Sequence, residues 1–99
     1  MNRISVETLK ERIANGEKIN LLDVREADER AVFNIGGEFI PLGDIMTMRT
    51  DEIEHLKNEE IICYCRSGKR SMQAYMMLES FGFTNLVNLD GGMMAWQGL

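Results

Sequence analysis

The stretch Ile61-Ile62-Cys63-Tyr64-Cys65-Arg66-Ser67-Gly68-Lys69-Arg70-Ser71 decides how this chain folds. Ile61 to Tyr64 make an apolar run of strand length, and Cys65 follows at its end. A long amphipathic segment begins six residues past Cys65, and the intervening positions supply one Gly, two small serines and three cations. A short buried run, a glycine and then helical periodicity read as strand, turn and helix. Such a unit delivers a thiol to the mouth of a helix, among free amides and positive charge. That setting stabilises negative charge on sulfur and on whatever the sulfur attacks.

Working outward, Ala74, Tyr75, Leu78 and Phe81 recur on one face, and Gly82 follows, which predicts a helix from about Lys69 to Phe81. Leu86 to Leu89 reads as a last strand, and Asp90-Gly91-Gly92 turns the chain into a short helix from Met93 to Trp96. Upstream, the strand feeding Cys65 begins near Glu60. Asp51 to Asn58 is expected to be helical, with acids first and Lys57 near its end, as the helix dipole favours. Leu42 to Met48 predicts a turn or two of helix, and Glu38-Phe39-Ile40 a short strand stopped by Pro41. Glu26 to Phe33 is a charged helix broken by Asn34-Ile35-Gly36-Gly37, and Ile19 to Val24 a buried parallel strand. Ser5 is a suitable N-cap for a helix that Gly16 closes, after a short strand at Arg3-Ile4. Strands thus alternate with helices throughout. The expectation is an α/β fold, a mostly parallel sheet covered on both faces. In such sheets ligands bind at the carboxyl ends of strands, where the Cys65 loop lies.

Ninety-nine residues are expected to form one domain, 1–99, long enough for a core without metal or disulfide support. The formal charge of −5 excludes a general nucleic-acid binder, which needs a basic face. Three of the eleven basic residues fall between Arg66 and Arg70, so the positive charge is local and the expected partner is a small anion. Cys63 and Cys65 are too close and too few for a disulfide framework, and His55 is the only histidine, so neither zinc nor another cofactor is expected. Residues Met1 to Glu7 lack an apolar leader and no run reaches membrane-spanning length, so the expected place is a reducing cytoplasm with no membrane partner.

A free thiol, with a pKa of about 8.5, offers little thiolate at neutral pH. Here the helix dipole, the cations Arg66, Lys69 and Arg70, and amides turned inward at Ser67 and Gly68 all favour the thiolate. The plain alternative is a connection with solvated cations and Cys65 as a small hydrophobe. The coincidence of thiol, glycine, cations and helix start argues against it. Cys63 reads either as a resolving thiol or as a packing residue, and its apolar flanks favour packing. Asp23 and Arg25 end the second strand on the active edge and read as structural support, either pairing with each other's neighbours or bracing the Cys65 loop, and Ser71 is placed with them behind the site. His55 reads as a solvated surface residue. Most of the eight methionines are expected to fill the core, with Trp96 anchoring the last helix. A methionine rim around the pocket, serving a protein acceptor, is the lesser alternative.

With these residues in place the chain resembles a single-domain rhodanese, a sulfurtransferase. Leu21-Leu22-Asp23-Val24-Arg25-Glu26, Ile40-Pro41-Leu42, Cys65-Arg66-Ser67-Gly68-Lys69-Arg70-Ser71 and Leu89-Asp90-Gly91-Gly92-Met93-Met94-Ala95-Trp96 carry the likeness, in the family's order. The resemblance implies a five-stranded parallel sheet with helices on both sides. It implies that Cys65 attacks the outer sulfur of thiosulfate or a persulfide donor and passes the resulting persulfide sulfur to a thiophilic acceptor, a thiol or a protein. The amides of Arg66 to Arg70 would cradle the persulfide, and the Arg and Lys side chains would meet the anionic donor. One departure stands out. The family usually shows His-Ile-Pro-Gly-Ala before the third strand, where this chain has Asn34-Ile35-Gly36-Gly37-Glu38. An altered loop is expected there, with the chemistry intact.

Two other functions compete. Cysteine-dependent phosphatases also place a cysteine before a helix, but their loop holds five residues between Cys and Arg, and Cys65 and Arg70 enclose four. A non-enzymatic sulfur carrier or regulatory binding module would have less reason to keep Cys65 together with all three cations.

Overall fold

A computed structural model describes residues 1–99. The elements run β1 (Arg3–Ile4), α1 (Val6–Ala14), β2 (Leu21–Asp23), α2 (Ala27–Val32), β3 (Glu38–Phe39), α3 (Leu42–Met46), a 3-10 helix (Asp51–Leu56), β4 (Ile61–Tyr64), α4 (Lys69–Ser80), β5 (Leu86–Leu89) and α5 (Gly92–Gln97). All five strands pair parallel, in the order β1-β5-β4-β2-β3. The alternation of strand and helix read from the sequence therefore holds, and the sheet is wholly parallel. The segment Asp51–Leu56 winds as a 3-10 helix, where an α-helix was expected. Three acids and one histidine leave it only Ile53 and Leu56 to bury, too few for a wider apolar stripe.

Strict alternation along β4 sorts the core into two layers. Ile61, Cys63 and Cys65 face one side, with Ile45 of α3, Ile53 and Leu56 of the 3-10 helix, and Ala74, Tyr75 and Leu78 of α4. Ile62 and Tyr64 face the other, with Val6 and Leu9 of α1 and Met93 of α5. Strand β4 is thus buried at all four residues, which explains its near-continuous apolar sequence. Cys63 is fully enclosed, and desolvation pushes its thiol up to about 12. It packs as a neutral apolar group.

The chain leaves β2 through α2 toward β3 and leaves β4 through α4 toward β5, in opposite directions along the sheet. Right-handed crossovers then put α2 and α4 on opposite faces and open a crevice past the ends of β2 and β4. The loop that departs from the family pattern sits beside it. Asn34 folds it into a local turn, accepting from Gly36 N at 2.9 Å and donating to Arg30 O at 3.0 Å. Arg30 donates to Gly37 O at 3.0 Å and the Tyr64 hydroxyl to Gly36 O at 2.9 Å. Side chains hold here what a proline ring would otherwise stiffen.

The methionines depart from expectation. Only Met93 is buried, while Met1, Met46, Met48, Met72 and Met76 are exposed and Met77 and Met94 lie between. At helix positions i and i+4, Met72 and Met76 fall on the solvent face of α4, opposite the Ala74–Tyr75–Leu78 stripe. Trp96 packs half-buried against the second layer, with Lys10 over its ring at 4.8 Å.

Cys63→Ala is expected to cost on the order of 1 kcal/mol, the loss of a small packed group. Cys63→Ser should cost more, about 2 kcal/mol, because its hydroxyl would be stranded in an apolar layer. Urea unfolding checks both, and a serine variant as stable as wild type would mean that a partner for the hydroxyl exists nearby.

Candidate active site around Cys65

A cysteine at the end of a buried strand sits where the chain must turn, and here the turn wraps the sulfur. Gly68 adopts φ of +100°, a left-handed conformation that glycine takes at little cost, and this aims its amide back at Cys65. The Gly68 N–H donates to Cys65 Sγ at 3.0 Å, and Ser71 Oγ lies 3.4 Å from the same sulfur. Cys65 is 1% exposed. Burial alone would raise its pKa. The Ser71 hydroxyl and the amides of Ser71, Gly68 and Ser67 outweigh that and hold the thiol below its ordinary value.

Ser71 is in turn held by Asn88, a polar residue inside an apolar strand. Ser71 Oγ donates to Asn88 Oδ1, and Asn88 Nδ2 donates to Gly68 O at 3.2 Å. A serine hydroxyl carries one proton. Here that proton goes to Asn88, and the same oxygen lies against Cys65 Sγ. Asn88 escaped the sequence reading, although an amide between Val87 and Leu89 could have signalled it, since a buried polar group demands partners.

The closing Gly-Gly segment forms the other wall. Met93 N donates to Cys65 O and Met94 N to Arg66 O, both at 2.9 Å. Gly92 makes this approach possible, because a Cβ there would collide with the carbonyls of Cys65 and Arg66. Two amides from the first turn of α5 are therefore spent on the loop backbone.

The charged residues divide sharply. Arg66 and Lys69 are exposed and form no ion pair, whereas Arg70 is bound at both terminal nitrogens by Glu29, at 2.6 and 2.8 Å. Of the three cations expected to meet the donor, Arg70 alone is engaged by an ion pair within the fold. Hydrogen bonding from Arg70 outweighs desolvation and, with the Glu26 amide, lowers the Glu29 carboxyl to about 2. Asp23 and Arg25 do not reach the Cys65 loop by any hydrogen bond. They pair with each other through two contacts of 2.9 Å, and Arg25 also donates to Phe33 O and lies over the Tyr64 ring. Their support is for the crevice wall. His55 is exposed. A cleft of about 410 Å³ opens beside the loop, lined by Arg25, Glu29, Phe33, Arg66, Met93 and Met94 among others.

The rhodanese-like domain model matches residues 5–99. The protein YtwF of Bacillus subtilis is 42% identical over 99% of this chain and 92% of its own length. A sulfurtransferase of Allochromatium vinosum is 35% identical over 97% of this chain and 88% of its own length. The chain spans only half of YrkF of Bacillus subtilis, to which it is 38% identical. The structure of the human single-domain sulfurtransferase TSTD1 superposes with a TM-score of 0.80 at 26% identity, covering 99% of this chain and 96% of that one.

Ser71→Ala removes the hydroxyl beside the sulfur. The pH at which Cys65 reacts half-maximally with iodoacetamide should rise, and alkylation at neutral pH should slow. An unmoved profile would assign the lowering to the backbone amides alone. Asp23→Ala should cost about 3–5 kcal/mol in urea unfolding, since it leaves the Arg25 guanidinium buried without its partner.

Proposed function

The chain belongs to the rhodanese-like domain family, and we propose that it moves sulfane sulfur through a persulfide on Cys65. It is a sulfur-transfer enzyme in kind, in keeping with its sulfurtransferase relatives. The observation that carries the mechanism is the Gly68 amide on Cys65 Sγ, in a buried site where a thiolate is favoured without a histidine or carboxylate base.

With thiosulfate as donor, the Cys65 thiolate attacks the outer sulfur, the S–S bond of thiosulfate breaks, and sulfite leaves with the bonding pair. Cys65 then carries a persulfide anion. An acceptor thiolate attacks its outer sulfur and regenerates the Cys65 thiolate. A covalent intermediate splits one transfer into two steps. The amides from Arg66 to Arg70 stabilise charge as it moves outward onto the added sulfur, and the free side chains of Arg66 and Lys69 meet the anionic donor. Ser71 and Asn88 keep the amides aimed. Both cysteines are free thiols, as a reducing cytoplasm would keep them, and the two steps above need only Cys65 and the groups around it. A phosphoryl group fits poorly, because the Gly68 amide already points at Sγ and the ring from Cys65 to Arg70 is one residue short.

Thiosulfate treatment should add the mass of one sulfur atom to the intact protein, and reductant or cyanide should remove it. Cys65→Ser should take up none and show no thiosulfate–cyanide turnover. Turnover in that variant would end the assignment. Replacing Arg66 and Lys69 by Gln should raise the KM for thiosulfate about tenfold at low salt and less at high salt. Hydrolysis of an aryl phosphate at a comparable rate would revive the phosphatase reading.

A further inference from the structure

Of the three cations that follow Cys65, Arg70 is cancelled within the fold. Its guanidinium is held by both oxygens of Glu29 across the crevice between α4 and α2. Glu29 cannot easily swing away. It is the third residue of α2, and its side chain also accepts from the Glu26 amide at 3.2 Å to close a capping box. Arg25, which lines the same cleft, is spent on Asp23. Asp28, exposed and without an ion pair, lines the same cleft as Glu29 and Arg66. The charge available to a ligand is therefore much smaller than the sequence of the loop suggests.

That matters because donors differ in the charge they bring. Thiosulfate is a dianion, so its attack by a thiolate gathers three negative charges at the site, and sulfite leaves with two. An organic persulfide, R–S–S⁻, brings one negative charge. The Cys65 thiolate attacks its outer sulfur, the S–S bond breaks, and a single thiolate RS⁻ leaves, so two charges meet at the site instead of three. We propose that Glu29 is a specificity-determining positioning residue: by neutralising Arg70 it biases the Cys65 site toward organic persulfide donors and against dianionic ones such as thiosulfate. This deepens the sulfur-transfer reading above and rests on it. Burial of the reacting sulfur beside a cleft with apolar walls at Phe33, Met93 and Met94 fits the organic donor as well.

The test compares wild type with Glu29→Gln, which keeps a side-chain oxygen for the Glu26 amide. Thiosulfate and 2-hydroxyethyl hydropersulfide, generated in the assay, serve as donors. At low salt Glu29→Gln should lower the KM for thiosulfate about fivefold, and move that for the persulfide much less. Equal shifts for both donors, or none for thiosulfate, would overturn the proposal. A second measurement needs no sulfur donor. The ratio of Cys65 alkylation rates with anionic iodoacetate and neutral iodoacetamide reports the field at the sulfur, and a merely structural change does not move it selectively. The ratio should rise about fivefold in Glu29→Gln and return toward wild type in Glu29→Gln/Arg70→Gln. Arg70→Gln alone, which strands the Glu29 charge, should lower it, and this arm stands if Glu29→Gln fails to fold. An unmoved ratio overturns the role of Glu29 even where sulfur transfer holds. A failure of every donor to load Cys65, with the ratio moving as expected, overturns sulfur transfer and leaves the electrostatic role in place.

Discussion

One buried amide fixes the geometry on which the rest depends. Asn88 lies in β5, beside Cys63 in the sheet register, on the face that otherwise holds the larger apolar layer. Its two polar ends each meet a partner from the turn after β4: the Ser71 hydroxyl and the Gly68 carbonyl. The Gly68 carbonyl is thus held by Asn88 while the Gly68 amide meets the sulfur at 3.0 Å. A hydrogen-bonded polar node in an apolar layer is costly unless every member is satisfied, and no buried side-chain nitrogen or oxygen in the chain lacks a partner. The strand therefore carries a residue chosen for the turn next door.

The same economy governs charge. Arg25 from the β2–α2 connection, Arg30 of α2 and Arg70 of α4 are all used by the fold on itself. Asp23 takes Arg25 and Arg30, and Glu29 takes Arg70. These pairs fix the ends of β2 and α2 against α4, so the walls of the cleft are held by partners within the chain. Arg66 and Lys69 stay unpaired at the exposed rim. Backbone amides surround the buried sulfur, and the loop's unpaired side-chain charge lies outside it. Buried amides cost nothing further to orient once the turn is made, whereas a bare cation beside the sulfur would carry its own desolvation penalty.

Much of this could be read from residues alone. The alternation of strands and helices was visible because β2, β4 and β5 are short, largely apolar runs set between helical patterns, and the Cys65 turn because thiol, glycine and cations coincide. The pairing partners were hidden. Glu29 lies forty-one residues before Arg70, and nothing in the spacing says that α2 and α4 meet at the switch point. Asn88 was passed over because one amide does not interrupt the apolar reading of Leu86 to Leu89. The methionines misled because their composition suggests core, and only helix phase reveals that Met72 and Met76 face outward. The 3-10 winding of Asp51–Leu56 likewise depends on how little that segment can bury.

The contact between α5 and the loop has a consequence for how the molecule fluctuates. The amides of Met93 and Met94 are bonded to the carbonyls of Cys65 and Arg66, with Gly92 pressed against both. The turn and α5 are therefore coupled, and opening either one breaks bonds that hold the other. Loosening of α5 would release the backbone that shapes the sulfur's surroundings, and the thiol would revert to ordinary reactivity without any change at Cys65 itself. Readiness of the sulfur is, in this sense, a property of the docked helix.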